Sequence, residues 1–142
     1  MIRVAEVMSR DVVAIAPNDT IRHAAQHMAY YDVGVLPVCD QGRIVGIVTD
    51  RDLAVRVLAG DIGPDSAIRD VATRRLICCR DDDDLDAVQQ RMAEARVRRT
   101  PVLDTGGKLV GMLSLGDIAT RARGASQDEL SNTLERVSQP GR

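Results

Sequence analysis

The 142-residue chain has no tryptophan and no phenylalanine, and the adjacent Tyr30 and Tyr31 are its only benzenoid rings. Any planar ligand must therefore be held between Val, Ile, Leu or Pro side chains, with aromatic stacking available at one place at most. An excess of basic residues is also missing. The 19 Lys and Arg stand against 21 Asp and Glu, for a formal charge of −2 and a pI near 5.6. Nucleic-acid binders carry a basic face that neutralises phosphates, so nucleic acid is not the expected partner. The one basic cluster, Arg96-Arg98-Arg99, is too small for a duplex footprint and large enough for a single phosphate group.

No run of about 18 apolar residues occurs, so no membrane-spanning helix is expected. The opening residues, Met1-Ile2-Arg3-Val4-Ala5-Glu6, carry no apolar stretch of signal-peptide length. The three cysteines, Cys39, Cys78 and Cys79, are odd in number and lack CxxC spacing. They are expected to be reduced and structural in a cytoplasmic protein. Adjacent strand residues point to opposite faces, which separates Cys78 from Cys79 as joint metal or redox ligands.

The chain repeats itself. A shift of 64 pairs Val7 with Val71, Asp19 with Asp83, Met28 with Met92, Val33 with Val97 and Pro37-Val38 with Pro101-Val102. One inserted residue in the Thr105-Gly106-Gly107 turn changes the shift to 65, which pairs Gly46 with Gly111, Thr49 with Ser114 and Asp52 with Asp117. A single insertion over a whole unit marks a duplication.

Each copy reads as βαββα. A β-branched run (Val12 to Ile15; Leu76 to Cys79) precedes an amphipathic helix. Ile21, Ala24, Ala25 and Met28 form its apolar stripe in the first copy, and Leu85, Val88 and Met92 in the second. Asn18, Asp19 and Thr20, like Asp83 and Asp84, supply capping oxygens. Two strands joined by a Gly-containing turn follow, Val35–Val38 to Ile44–Val48 and Thr100–Leu103 to Leu109–Leu113, and read as hairpins. The proline in each first strand marks an edge or the end of backbone pairing. A second helix closes each copy, near Asp50–Leu58 and Leu115–Arg121. The expected division is repeat 1 over residues 1–60, a linker over 61–66 rich in breakers, repeat 2 over 67–123, and a short C-terminal helix with a flexible tail over 124–142. Ser126 to Glu129 form a capping box for that last helix.

The polar element shared by both copies is Gly46-Ile47-Val48-Thr49-Asp50-Arg51-Asp52 and Gly111-Met112-Leu113-Ser114-Leu115-Gly116-Asp117, both G-h-h-[S/T]-x-x-D at a strand-to-helix junction. A hydroxyl three residues before a carboxylate is a capping box. The same geometry suits a ligand, because a helix start attracts phosphate and a carboxylate can take two hydrogen bonds from vicinal sugar hydroxyls. The two readings are compatible.

With two copies of h-P-V…G-h-h-[S/T]-x-x-D, each after an amphipathic helix, residues 1–123 resemble a pair of CBS domains, a Bateman module. The resemblance implies an α/β (α+β) fold of two repeats related by a pseudo-twofold axis, homodimerisation, and adenosyl ligands in the clefts between repeats. It implies an AMP-, ADP- or ATP-like ligand rather than a fixed cofactor, a regulated partner protein, and no catalysis. Carried over by position, the first site would use Val13, Gly34, Val35, Thr49 and Asp52. The second would use Ile77, Arg98, Arg99, Ser114 and Asp117. Gly34-Val35 is replaced by Arg98-Arg99, so only the second site brings cations to the expected phosphate position, with Arg51 a helper from the first copy, unless those arginines are a solvated turn. The alternative is an oligomerisation or protein-interaction module with no nucleotide, its motifs serving only as caps.

Other candidates reduce to structure. His23 and His27 have chelating spacing without a third ligand, and a solvated face or dimer contact fits them. Asp81 to Asp84 precede a helix and favour its dipole. Gly106-Gly107-Lys108 lacks the flanking residues of a P-loop and falls in a turn.

Overall fold

The computed structural model describes residues 1–74 and 76–121. The chain forms two compact units that cut across the sequence repeats: one is Val13–Leu76, the other Met1–Val12 together with the chain from Ile77 onward.

In the Val13–Leu76 unit, helix α1 spans Ile21–Tyr31. Thr20 caps it, its Oγ1 accepting the His23 N–H at 3.0 Å. The helix ends at Asp32 in left-handed backbone (φ 54°), whose N–H returns to the Met28 carbonyl, a helix-ending cap without glycine. Ile21, Ala24 and Met28 are buried as the stripe requires, but Ala25 is exposed. Strands β1 (Val35–Asp40) and β2 (Arg43–Thr49) pair antiparallel, with Val35 opposite Thr49 and Asp40 opposite Arg43. Gln41 and Gly42 turn the hairpin at φ 52° and 81°, as a two-residue turn matched to strand twist demands. Helix α2 (Asp50–Leu53) runs on as a π-helical stretch over Ala54–Leu58.

The other unit repeats this plan with β3 (Cys79–Arg80), α3 (Leu85–Ala95), β4 (Arg99–Leu103), β5 (Leu109–Ser114) and α4 (Leu115–Arg121). Strand β3 lies parallel to β4 and β4 antiparallel to β5, with Arg99 opposite Ser114. Arg96, at the position matching Asp32, ends α3 at φ 57°. The inserted residue is absorbed at Asp104, whose Oδ1 accepts the N–H groups of Gly106 and Lys108, both at 2.9 Å.

The β-branched runs are shorter as strands than their composition predicts. Leu76 to Cys79 contributes Cys79 alone to β3, and Val12 to Ile15 contributes one parallel bridge, Ile15 to Val38. Among the described residues no neighbouring strand lies beside Val12, Val13 or Ala14, and β-propensity is realised only against a partner.

The lead-in segments ahead of the two β-branched runs, residues 4–9 and 68–74, explain the crossed units. Ser9 pairs with Met112 of β5, and Thr73, at the equivalent position, pairs with Ile47 of β2. Val4 donates to the Asp83 carbonyl and Ile68 to the Asp19 carbonyl, at 3.0 and 2.8 Å. Each lead-in thus completes the sheet edge and helix start of the other repeat. Val4, Val7 and Met8 accordingly join Leu85, Val88, Met92, Val102 and Leu113 in one core. Ile68 and Val71 join Ile21, Leu36, Val38 and Val48 in the other. The expected linker is tied in as well, the Ser66 and Pro64 carbonyls taking the first N–H groups of α1. The expected C-terminal helix lies outside the described residues. No helix among the described residues is long and apolar enough to cross a membrane.

Candidate functional site

Each set of five or six candidate residues falls within one unit. In the first set, β2 delivers Thr49 to the start of α2 in extended backbone (φ −115°). Its Oγ1 accepts the Asp52 N–H at 3.1 Å, and Asp52 Oδ2 accepts the Thr49 N–H at 2.9 Å. In the second set, Ser114 Oγ accepts the Asp117 N–H at 3.0 Å and Asp117 Oδ2 accepts the Ser114 N–H at 3.3 Å. Both are reciprocal capping boxes. Each still leaves the hydroxyl proton and the second carboxylate oxygen, Oδ1, without a partner among the described residues, so a donor and an acceptor remain beside one another. All four side chains are half-buried.

The residues before the proline lie against these boxes. Val35 faces Thr49 across the hairpin, and the Gly34 carbonyl accepts the Asp50 N–H at 2.9 Å. Arg99 faces Ser114, and the Arg98 carbonyl accepts the Leu115 N–H at 3.0 Å. Both arginines are exposed, and neither guanidinium is bonded to a described residue. Ile77 is 40% exposed, and its carbonyl accepts the hydroxyl of the fully buried Thr100 at 2.6 Å. That bond fixes the backbone at the edge of the second set. Val13 packs on the core that holds Ile21, Leu36 and Val48, and Arg51 is exposed.

Sequence reasoning missed Asp50. A methyl group at Gly34 would lie 2.9 Å from Asp50 Oδ2, so glycine leaves room for a carboxylate at this edge. The equivalent pair in the second set is Arg98 and the buried Leu115. The first set therefore carries an added negative charge where the second carries an added positive one. The signal was present in the self-alignment, as Asp50 opposite Leu115, but its meaning needed the Gly34 contact.

The cysteines are free. Burial first, then the Asp83 carboxylate, pushes the Cys79 thiol up to about 12, while the Arg91 cation and the Thr100 hydrogen bond oppose this. Burial also raises Cys39 and Cys78. Thiols held protonated are poor nucleophiles and poor metal ligands. His23 and His27 stack edge to face at 4.2 Å, with His23 Nδ1 3.6 Å from Asp19 Oδ1. Among the described residues no group of three or more His, Cys, Asp or Glu could hold a metal ion.

The CBS domain family matches the chain twice, over residues 4–59 and 68–124. The CBS domain-containing protein YhcV of Bacillus subtilis is 33% identical over 97% of this chain and 96% of its own length. An inosine-5'-monophosphate dehydrogenase of Methanocaldococcus jannaschii is 32% identical, but the match spans only 23% of that enzyme. Among solved structures, Hypoxic Response Protein I with two coordinated zinc ions superposes with a TM-score of 0.78, at 29% identity, over 86% of this chain and all of the other. CBSX2 in complex with AMP gives 0.74 at 26% identity over 84% of this chain and 94% of that one. The CBS domain pair of MJ0100 with 5'-methylthioadenosine and S-adenosyl-L-methionine gives 0.73 at 28%, again over 84% and 94%.

Proposed function

This chain belongs to the CBS-domain family, and from that premise we propose that it is a non-catalytic regulatory module, binding an adenosyl ligand and reporting occupancy to a partner protein. The observation that carries the reading is the pair of capping boxes, each of which leaves a hydroxyl proton and a carboxylate oxygen without a partner among the described residues. A ribose offers two adjacent hydroxyls as donors, and hydrogen bonds to a charged acceptor contribute about 1.5–3 kcal/mol each. Asp52 and Asp117 take the ribose, and Thr49 and Ser114 the neighbouring oxygen. Val13 and Val35, or Ile77, flank the base, in the absence of aromatic rings. The AMP bound by CBSX2 and the adenosyl compounds bound by MJ0100 support the ligand class.

The two sets divide by charge. Arg98 and Arg99 favour an adenosyl ligand with phosphates in the second. Asp50 beside Gly34 opposes phosphate in the first and favours an uncharged or cationic adenosyl compound there, with Arg51 partly offsetting it.

A thermal-shift series with AMP, ADP, ATP, 5'-methylthioadenosine and S-adenosylmethionine tests this. A ligand at a hundredfold excess over Kd stabilises the folded chain by about 2.7 kcal/mol, enough to raise Tm by several degrees for a chain of this size. Absence of any shift at millimolar concentration overturns the proposal. The second reading, an oligomerisation module without a nucleotide, has one observation in its favour: both boxes are complete as helix caps. It requires a concentration-dependent dimer in sedimentation with no nucleotide response.

A further inference from the structure

The Val13–Leu76 unit contains a recess beside the middle of its hairpin, where Val38 pairs with Gly46. It is an open cleft of about 260 Å³, with Val38 and Gly46 among its buried lining, Pro17 and Ala72 half-buried, and Arg69 and Arg74 exposed. No carboxylate lines it among the described residues, and neither guanidinium is bonded to a described residue. Two untethered guanidinium groups beside an aliphatic surface form an oxyanion site, since each presents a planar fork of donors matched to carboxylate or phosphate.

The other unit supplies an internal control, because the duplication places a counterpart at every one of these positions. Met8 stands where Ala72 stands, and it is buried, with its sulfur 2.8 Å from where a methyl group on Gly111 would sit. Ala5 replaces Arg69, and Asp81 replaces Pro17. Arg10 replaces Arg74, but its guanidinium is turned to the Ala5 carbonyl at 3.2 Å. The corresponding place is therefore plugged by a thioether, short of one cation and supplied with a carboxylate. At Gly46 the nearest neighbours of an added methyl group are instead the Thr73 carbonyl at 3.1 Å and the small Ala72 side chain at 3.3 Å. Three sequence differences between the copies act in one direction: they open the space, add a cation and remove an anion.

We infer that this cleft, between the lead-in carrying Arg69 to Arg74 and the edge of β2, binds a compact organic oxyanion, with a phosphate or carboxylate head and a short aliphatic body. Its volume lies below the roughly 300–1,000 Å³ of pockets that enclose drug-sized ligands, so it suits a metabolite fragment rather than a nucleotide. Neither Asp52 nor Asp117 lines it, and the inference does not depend on the adenosyl reading. Because Thr73 is bonded in both directions to Ile47, a ligand held by Arg69 and Arg74 would also fasten this lead-in to β2.

The test is a ¹⁵N titration of the full chain with n-butyl phosphate, butyrate and inorganic phosphate as probes. Butyl phosphate or butyrate is expected to saturate in the low millimolar range, moving the Gly46 and Ala72 amides and the Arg69 and Arg74 Nε–H signals; the stronger of the two identifies the head group. Ala72→Met, which copies the plug of the other unit, should abolish the response. Arg69→Ala, which copies Ala5, should weaken it about tenfold or more, as expected for a lost charged hydrogen bond. Should Ala72→Met fail to fold, Arg69→Ala and Arg74→Ala decide the matter at exposed positions. Linear, unsaturating shifts, or shifts undiminished in the arginine variants, overturn the inference. Inorganic phosphate binding as tightly as butyl phosphate overturns the assignment of an aliphatic body.

Discussion

Leu115 and Arg98 are joined by a backbone hydrogen bond of 3.0 Å, and Asp50 and Gly34 by its counterpart of 2.9 Å. The backbone of the two candidate sites is thus equivalent while the side chains mounted on it have opposite charge. The proposed preference of the second site for phosphate rests on these two differences, a cation at the glycine position and an aliphatic side chain at the acidic one.

From this follows unequal binding. Asp117→Ala is expected to weaken AMP binding by one to two orders of magnitude, the value of a charged hydrogen bond or two, and Asp52→Ala to weaken it much less. Both variants lose the same half of a capping box, the carboxylate that accepts the Thr49 or Ser114 N–H, so the comparison cancels that effect. Isothermal titration of both variants decides it, and equal losses, or a larger loss at Asp52, would refute the asymmetry.

Asp50→Asn isolates the other half of the argument. The amide keeps an acceptor for the Arg51 N–H, which Asp50 Oδ1 takes at 2.8 Å, but removes the charge. In an Asp117→Ala background, AMP affinity is expected to rise about threefold, within the range of exposed charge interactions, and the gain should fade as salt is added. Affinity for 5'-methylthioadenosine, which has no phosphate, should stay unchanged or fall. A gain for both ligands would mean that Asp50 acts by steric means.

How much of this was legible in the sequence depends on the range of the interaction. The hairpins, both long helices and the hydroxyl–carboxylate pairs were readable because turn chemistry, periodicity and capping operate within a few residues of one another. The 64- and 65-residue shifts paired Thr49 with Ser114 correctly, since one insertion at a turn leaves register intact on both sides. The exchange of lead-ins was not readable. Val4 and Ile68 look like the start of their own repeats, and only long-range pairing assigns each to the other's core. Ala25 shows the same limit: it fits the apolar stripe of α1 by spacing yet is exposed, while its counterpart Gln89 is polar and buried. Periodicity identifies a face, and the neighbours determine how much of it is covered.

Cys79 gives a pH dependence with a definite sign. Its thiol is raised from 9.0 to about 12 in the folded chain. Below pH 9 it is protonated whether the chain is folded or not, and its full contribution is present. Between 9 and 12 the unfolded chain releases this proton and the folded chain does not, so stability is lost as pH rises through that window. Urea midpoints at pH 8 and pH 10.5 are expected to fall more steeply for the wild type than for Cys79→Ala, the difference isolating this thiol from tyrosine, lysine and the other cysteines. Identical slopes would show that Cys79 ionises in the folded state as it does in the unfolded one.

Gln89 offers a stability prediction in the opposite direction to most core substitutions. The side chain is 1% exposed on α3, and neither its Oε1 nor its Nε2 has a hydrogen-bond partner among the described residues. An unpaired buried amide forgoes its bonds to water and costs about 1–3 kcal/mol. Methionine has nearly the same length and volume, so Gln89→Met removes that penalty while leaving no cavity, and volume-conserving replacements of this kind cost less than about 1.5 kcal/mol where they cost anything. The expected net is a gain of about 1 kcal/mol, read as a higher urea midpoint with an unchanged m-value. Gln89→Ala separates the two contributions, because it also removes the amide but leaves a void, whose cost of a few kcal/mol outweighs the gain. A stabilised methionine variant beside a destabilised alanine one identifies the amide as the liability and the side-chain volume as the asset. A methionine variant less stable than the wild type would show instead that the amide is bonded in solution.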